Sequence, residues 1–88
     1  MASIYIVEDD SNIREIEMIA LKNSGHTVYA FETAKEFYRK IEDCVPDLVL
    51  LDVMLPDENG YDIVKKIRKK THNKTPLFIN YLKPLLNG

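Results

Sequence analysis

The chain has 88 residues, enough for one small domain that buries about 60–65% of the surface of its unfolded form. Its 12 basic and 14 acidic residues give a net charge of −2, which argues against direct nucleic-acid binding or attraction to an anionic membrane. A single cysteine, Cys44, excludes an intramolecular disulfide, and no apolar stretch reaches the ~20 residues of a membrane span or resembles a signal peptide. We therefore expect a soluble cytoplasmic protein.

Short apolar runs rich in β-branched and aromatic residues alternate with segments of helical periodicity. The runs that predict strands are Ser3–Val7, Thr27–Phe31, Leu48–Leu51 and Leu77–Ile79. The segments between them predict three helices, so the order of elements is β-α-β-α-β-α-β. This alternation implies right-handed crossovers and an α/β fold with a doubly wound parallel sheet covered on both faces.

The apolar pattern of each helix predicts which side chains face the sheet. The first helix is expected to begin among Asp10, Ser11 and Asn12 and to stop at Gly25. The residues expected on buried faces are Ile13, Ile16, Ala20 and Leu21 in the first helix, Phe37, Tyr38 and Ile41 in the second, and Tyr61, Val64 and Ile67 in the third. Cys44, between the second helix and the third strand, is expected to be partly buried.

Two of the predicted strands end in acidic residues. Asp52 follows the third strand, and Glu8, Asp9 and Asp10 follow the first. Ligands of parallel α/β sheets bind outside the carboxyl ends of the strands, so these acids are expected to converge, and oxygen ligands suit Mg²⁺. An isolated strand-terminal aspartate is usually a turn former, so the predicted metal site depends on Glu8 and Asp9. Asp10 is better interpreted as the cap of the first helix.

Together with Leu55-Pro56 and Gly60 after Asp52, these acids resemble the receiver domain of bacterial two-component response regulators. The resemblance spans about Ser3 to Ile79. It implies a flavodoxin-like fold with strand order 2-1-3-4, a receiver-like domain at residues 1–79 and a short tail at residues 80–88.

The resemblance also implies a function and a set of site residues. Asp52 would accept a phosphoryl group from a sensor histidine kinase in a Mg²⁺-dependent reaction, and the chain itself would not be an enzyme. Asp9, Asp52 and the backbone carbonyl of Met54 would bind Mg²⁺, and Glu8 would act through a water molecule. The backbone N–H groups of Val53 and Met54 would donate hydrogen bonds to phosphoryl oxygens.

The chain departs from the family pattern after Ile79. Tyr81 stands where the family has Thr or Ser, and Lys83-Pro84, which resembles the family's Lys-Pro pair, begins only four residues after Ile79. A parallel crossover needs a dozen or more residues, so we expect an incomplete sheet that lacks about one βα unit, and impaired phosphorylation. The fourth strand would then be an open edge through which two chains associate as a homo-oligomer.

Two other classes of function compete with the phosphoacceptor. The first is a non-catalytic receiver remnant that serves as an interaction or dimerisation module, which the missing Thr/Ser and Lys favour. The second is an aspartate-nucleophile phosphohydrolase. That class normally needs a second carboxylate two residues after the nucleophile, and Met54 occupies this position.

Overall fold

Strands and helices alternate in the computed structural model, which describes residues 2–70 and 77–80. The elements are β1 (Ser3–Val7), α1 (Ser11–Asn23), β2 (Thr27–Phe31), α2 (Ala34–Asp43), β3 (Leu48–Asp52), α3 (Gly60–Lys70) and β4 (Leu77–Asn80). The predicted α/β alternation and the three predicted helices are confirmed. In the described part of the chain, no helix is long and apolar enough to cross a membrane.

The strands form one parallel sheet in the order β2-β1-β3-β4. Strand β1 lies between β2 and β3, with Val7 opposite Phe31 on one side and Leu51 on the other. On the outer side of β3, the paired residues run from Val49 with Leu77 to Asp52 with Asn80. Because β1 and β3 are neighbours and parallel, the residues that follow them meet at one edge of the sheet.

Helix α1 covers one face of the sheet, but it is rotated relative to the prediction. Ile13 is buried and Leu21 is half-buried, whereas Ile16 is 67% exposed and Ala20 is also exposed. Met18 packs with Leu21 against the buried side chains of β1 and β2. The prediction for Ile16 and Ala20 was therefore wrong. Apolar residues occupy most of the circumference of α1, so their spacing alone does not select one buried face.

Helices α2 and α3 cover the other face. Phe37 and Ile41 of α2 are buried as predicted, and Tyr38 is half-buried. In α3, Ile63 and Ile67 are buried, whereas Tyr61, which was expected to face inward, is 46% exposed.

The inward stripe of α3 is the Ile63–Ile67 pair, one helical turn apart, and half-buried Val64 flanks it. The prediction placed Tyr61 and Val64 on the buried face and omitted Ile63, because three apolar residues stand within four positions here.

Tyr5 lies at the centre of the α2 and α3 face and is 1% exposed. Its ring makes edge contacts with Phe31 and Phe37, with centroids 5.5 and 6.3 Å apart. Its hydroxyl donates a 2.7 Å hydrogen bond to the carbonyl oxygen of Cys44. Burial is the main cause that raises the pKa of Tyr5 to about 12. Cys44 itself is exposed, contrary to the prediction, because only its backbone reaches the core.

Candidate functional site

The acids predicted from the sequence meet at the carboxyl edge of the sheet. Glu8 and Asp9 follow β1, and Asp52 ends β3 beside them. One carboxylate oxygen from each of the three residues lies within 4.8 Å of the others. Glu8 and Asp52 are 1% and 2% exposed, and Asp9 is half-buried. The structure thus brings together three of the predicted site residues, of which Asp9 is the one partly exposed to solvent.

The turn between β1 and α1 is held by hydrogen bonds to both of its ends. The backbone N–H of Glu8 donates to the carbonyl oxygen of Phe31 at 3.0 Å, which extends the pairing of β1 with β2. The N–H of Asp10 donates to the Glu8 carboxylate at 3.1 Å. The first contact fixes the Glu8 backbone beside β2, and the second restrains its buried carboxylate.

Asp10 is the N-cap of α1. Its carboxylate accepts hydrogen bonds from the N–H groups of Asn12 and Ile13 at 2.9 and 3.0 Å. The predicted capping role is confirmed, and Asp10 is not among the three clustered acids. Consecutive acids in the sequence therefore have separate structural tasks.

Arg14 lies beside the acidic pair, and sequence reasoning did not select it. Its guanidinium donates to the carbonyl oxygen of Glu8 at 2.9 Å and approaches that of Asp9 at 3.5 Å. These contacts tie this side chain of α1 to the backbone of the turn that carries two of the clustered acids. The position of Arg14 could have indicated this contact. Arg14 lies one turn into the helix that follows the acids, and a long side chain there can reach back to the turn.

The backbone after β3 fixes the orientation of the Asp52 carboxylate. The N–H of Met54 donates to Asp52 Oδ1 at 3.1 Å. The Met54 side chain is 68% exposed, and this contact with Asp52 comes from the Met54 backbone. In this state the Met54 N–H is bonded to Asp52, and a phosphoryl oxygen would have to replace that partner.

Gly60 packs directly against the backbone of Asp52. A Cβ atom at position 60 would lie 2.5 Å from the Asp52 carbonyl oxygen and 2.8 Å from Val53 Cα. The Gly60 N–H donates a 2.7 Å hydrogen bond to the Val53 carbonyl oxygen. The motif glycine is thus explained by a close approach of two backbone segments, which leaves no space for a side chain.

Two acidic residues of the β3–α3 loop contact helix α2. The Asp57 carboxylate accepts hydrogen bonds from the N–H groups of Ala34 and Lys35 at 3.0 and 3.1 Å. Glu58 accepts a 2.7 Å hydrogen bond from the Tyr38 hydroxyl. Burial and this bond to Glu58 raise the pKa of Tyr38 above its ordinary value. Sequence reasoning did not select either acid.

The clustered donors fit a divalent cation. Three carboxylates converge at a partly water-excluded edge of the sheet, and all their donor atoms are oxygen, the ligand type that Mg²⁺ prefers. Like charges this close are costly to hold together when they are buried, and a divalent cation removes that cost.

These features define a flavodoxin-like α/β domain with an acidic site at the carboxyl edge of its sheet. The chain matches the family described as "Response regulator receiver domain" over residues 4–80. It belongs to that family, whose members serve in two-component systems and are not classical enzymes. The Glu8, Asp9 and Asp52 cluster fits the phosphoacceptor site of such domains.

Curated relatives support the assignment. The chain is 35% identical over 78 residues to the transcriptional regulatory protein CssR of Bacillus subtilis, covering 89% of this chain and 34% of CssR. It is 42% identical over 67 residues to the regulatory protein VanR of Enterococcus faecium, covering 76% of this chain and 29% of VanR. The chain therefore spans about a third or less of the length of these relatives.

Solved structures share the fold. The chemotaxis response regulator CheY4 of Vibrio cholerae superimposes with a TM-score of 0.85 at 28% identity, covering 90% of this chain and 67% of CheY4. The non-phosphorylated HemR receiver domain from Leptospira biflexa gives a TM-score of 0.82 at 32% identity, covering 90% and 63%. These likenesses confirm the predicted flavodoxin-like receiver fold.

Some predictions concern other parts of the chain. Tyr81 and Lys83 lie outside the described residues, so their predicted positions relative to Asp52 stay predictions. The division into residues 1–79 and 80–88 also stays a prediction.

Proposed function

We propose that this chain accepts a phosphoryl group on Asp52 from a phosphohistidine of a sensor histidine kinase. The observation that carries the proposal is the cluster of Glu8, Asp9 and Asp52, whose carboxylate oxygens lie within 4.8 Å of one another at the carboxyl ends of adjacent strands. Membership of the receiver family supports a kinase as the phosphodonor.

The proposal assigns Mg²⁺ to this cluster. Asp9, Asp52 and the backbone carbonyl of Met54 would hold the ion, and Glu8 would contribute through a water molecule, because Mg²⁺ usually keeps several of its waters. A bound divalent cation would neutralise negative charge as the anionic phosphoryl group approaches the carboxylate.

Asp52 is the nucleophile of the proposed reaction. One of its carboxylate oxygens forms a bond to phosphorus while the phosphorus–nitrogen bond of the donor imidazole breaks, and the ring nitrogen keeps the electron pair. The products are an aspartyl phosphate and a free histidine. The Met54 N–H, 3.1 Å from Oδ1, limits rotation of the carboxylate and so keeps it oriented for attack.

Intact mass after incubation with a small phosphodonor and Mg²⁺ tests the proposal. We expect the mass of one phosphoryl group to be added slowly. The Asp52→Asn substitution, which changes the size of the side chain little, should abolish the addition. Asp43→Asn is the matched control, because Asp43 is an exposed acid at the end of α2. Labelling of the Asp52→Asn chain at the rate of the control would refute Asp52 as acceptor.

Slow incorporation is part of the proposal. The family pattern has a Thr or Ser where Tyr81 stands in this sequence, and Lys83 comes only four residues after Ile79, a shorter spacing than a parallel crossover needs. Rapid stoichiometric labelling would show that these two groups are dispensable.

A non-catalytic receiver remnant is the second candidate function, and Tyr81 in the hydroxyl position is the observation that favours it. Such a module would bind its kinase without accepting phosphate. Kinase binding that survives Asp52→Asn, with no incorporation into the wild-type chain, would select this alternative.

A further inference from the structure

The loop between β3 and α3, residues 53–59, is held together at its base. The Gly60 N–H donates to the Val53 carbonyl oxygen at 2.7 Å, and Met54 forms an isolated antiparallel bridge with Asn59. The Met54 backbone, which also donates to Asp52, therefore belongs to a small segment closed at its base.

The tip of this loop is attached to the start of α2. Asp57 accepts hydrogen bonds from the Ala34 and Lys35 N–H groups at 3.0 and 3.1 Å, one to each carboxylate oxygen. These N–H groups lie in the first turn of α2, where the helix itself supplies no acceptor. The helix has its own local cap, Thr33, whose hydroxyl accepts from the Glu36 N–H at 3.3 Å. Asp57 is thus a second cap, supplied by a distant segment.

A neighbouring contact joins the same two segments. Glu58 accepts a 2.7 Å hydrogen bond from the Tyr38 hydroxyl of α2, and its carboxylate lies 3.0 Å from Lys66 Nζ of α3. Lys66 is mostly exposed, so its ion pair contributes little. The Asp57 contact is bidentate: its charged acceptor meets two backbone donors at a helix N-terminus, where the helix dipole favours negative charge.

We propose that Asp57 is a positioning residue for the site at Asp52. By attaching the loop tip to α2, it holds the Met54 backbone in place before any ligand binds. This inference rests on the proposed function, because the benefit of a fixed Met54 backbone is tighter binding at the acidic cluster. By reciprocity, binding at the cluster protects the Ala34 and Lys35 N–H groups from exchange.

The test compares Asp57→Ala with Thr33→Ala by titrating each chain with Mg²⁺ and following backbone chemical shifts. Both substitutions remove a cap of α2, but only the first removes a contact between the loop and α2. We expect Asp57→Ala to raise the Kd for Mg²⁺ by about 3- to 10-fold, at or below the low end of the effects seen when partners of metal ligands are removed. Thr33→Ala should lower the denaturation midpoint and leave the Kd within about 2-fold.

Asp62→Asn controls for charge, because it removes one negative charge from the exposed first turn of α3. The titrations are made at physiological ionic strength, which screens charges beyond about 8 Å. Equal Kd values in the Asp57→Ala and Thr33→Ala chains would overturn the inference, as would an equally large rise in Asp62→Asn. If Asp57→Ala unfolds, Asp57→Asn, which keeps one acceptor, takes its place.

A second measurement needs no cation. Amide exchange at Val53 and Met54 should be at least several-fold faster in the Asp57→Ala chain than in the Thr33→Ala chain, after both are corrected for global stability. Unchanged exchange there would overturn the inference. A wild-type chain that binds no Mg²⁺, but whose loop exchange responds to Asp57→Ala, would refute the proposed function and leave the loop attachment supported.

Discussion

Replacing Gly60 by Ala should damage both the fold and the acidic site. The added Cβ would lie 2.5 Å from the Asp52 carbonyl oxygen, where ordinary contacts begin at 3.4 Å, so the two backbone segments must separate by about 0.9 Å. The atoms it meets belong to the backbone of Asp52 and Val53, which cannot rotate away. Overpacking of this kind costs about 1–3 kcal/mol, and the gain of up to about 1 kcal/mol from Ala in a helix offsets only part of it.

The same displacement should disturb cation binding, because metal–ligand distances tolerate only about 0.2 Å. We expect Gly60→Ala to lose roughly 1–2 kcal/mol in urea denaturation and to show a much weaker shift response to Mg²⁺ at Asp52. Gly25→Ala is the matched control. Gly25 has a φ of +90°, so Ala is strained there, but a Cβ would have nothing within 4 Å and the site is distant.

The control should therefore lose stability and keep the Mg²⁺ response. A Gly60→Ala chain as stable as the wild type, with an unchanged titration, would refute the argument that the Gly60 contact sets the position of Asp52.

Three further predictions concern the cap, the core and the sheet edge. Asp10→Ala should lower the free energy of unfolding by about 1 kcal/mol, because the N-cap bonds to α1 are lost, while a saturable Mg²⁺ response persists; unchanged stability in urea would contradict this. Burial raises the pKa of Tyr5 from 10.0 to about 12, so its contribution to stability is fully present below pH 10 and is lost as the pH rises to about 12. The stability difference between the wild type and Tyr5→Phe should change across that window, and a difference independent of pH would count against the assignment. Self-association through β4, which pairs with β3 alone among the described strands, should give dimers in sedimentation equilibrium at tens of micromolar that Phe78→Lys weakens. A monomer throughout that range would rule it out.

The features that the sequence predicted well depend on strong local signals. The strand runs of Val, Ile and Leu are bounded by turns, and parallel pairing then places Glu8, Asp9 and Asp52 together through the register alone. The Asp10 cap was predictable because capping is a contact between residues two or three positions apart.

The features that were missed depend on tertiary contacts or on ambiguous patterns. The attachment of Asp57 to Ala34 joins residues 23 positions apart, and nothing in the local sequence distinguishes Asp57 from an ordinary turn acid. The rotation of α1 was wrong at Ile16 because apolar residues surround most of that helix. Arg14 acts through backbone carbonyls, which have no sequence signature.

The β1–α1 turn couples one member of the acidic cluster to the start of helix α1. The Asp10 N–H restrains the Glu8 carboxylate, while the Asp10 side chain holds the Asn12 and Ile13 N–H groups. A fluctuation that unwinds the first turn of α1 is therefore expected to loosen one restraint on the Glu8 carboxylate as well. Exchange rates at the Asn12 and Ile13 amides would consequently report how often the helix start next to the acidic cluster opens, in a sample that contains no ion, phosphodonor or kinase.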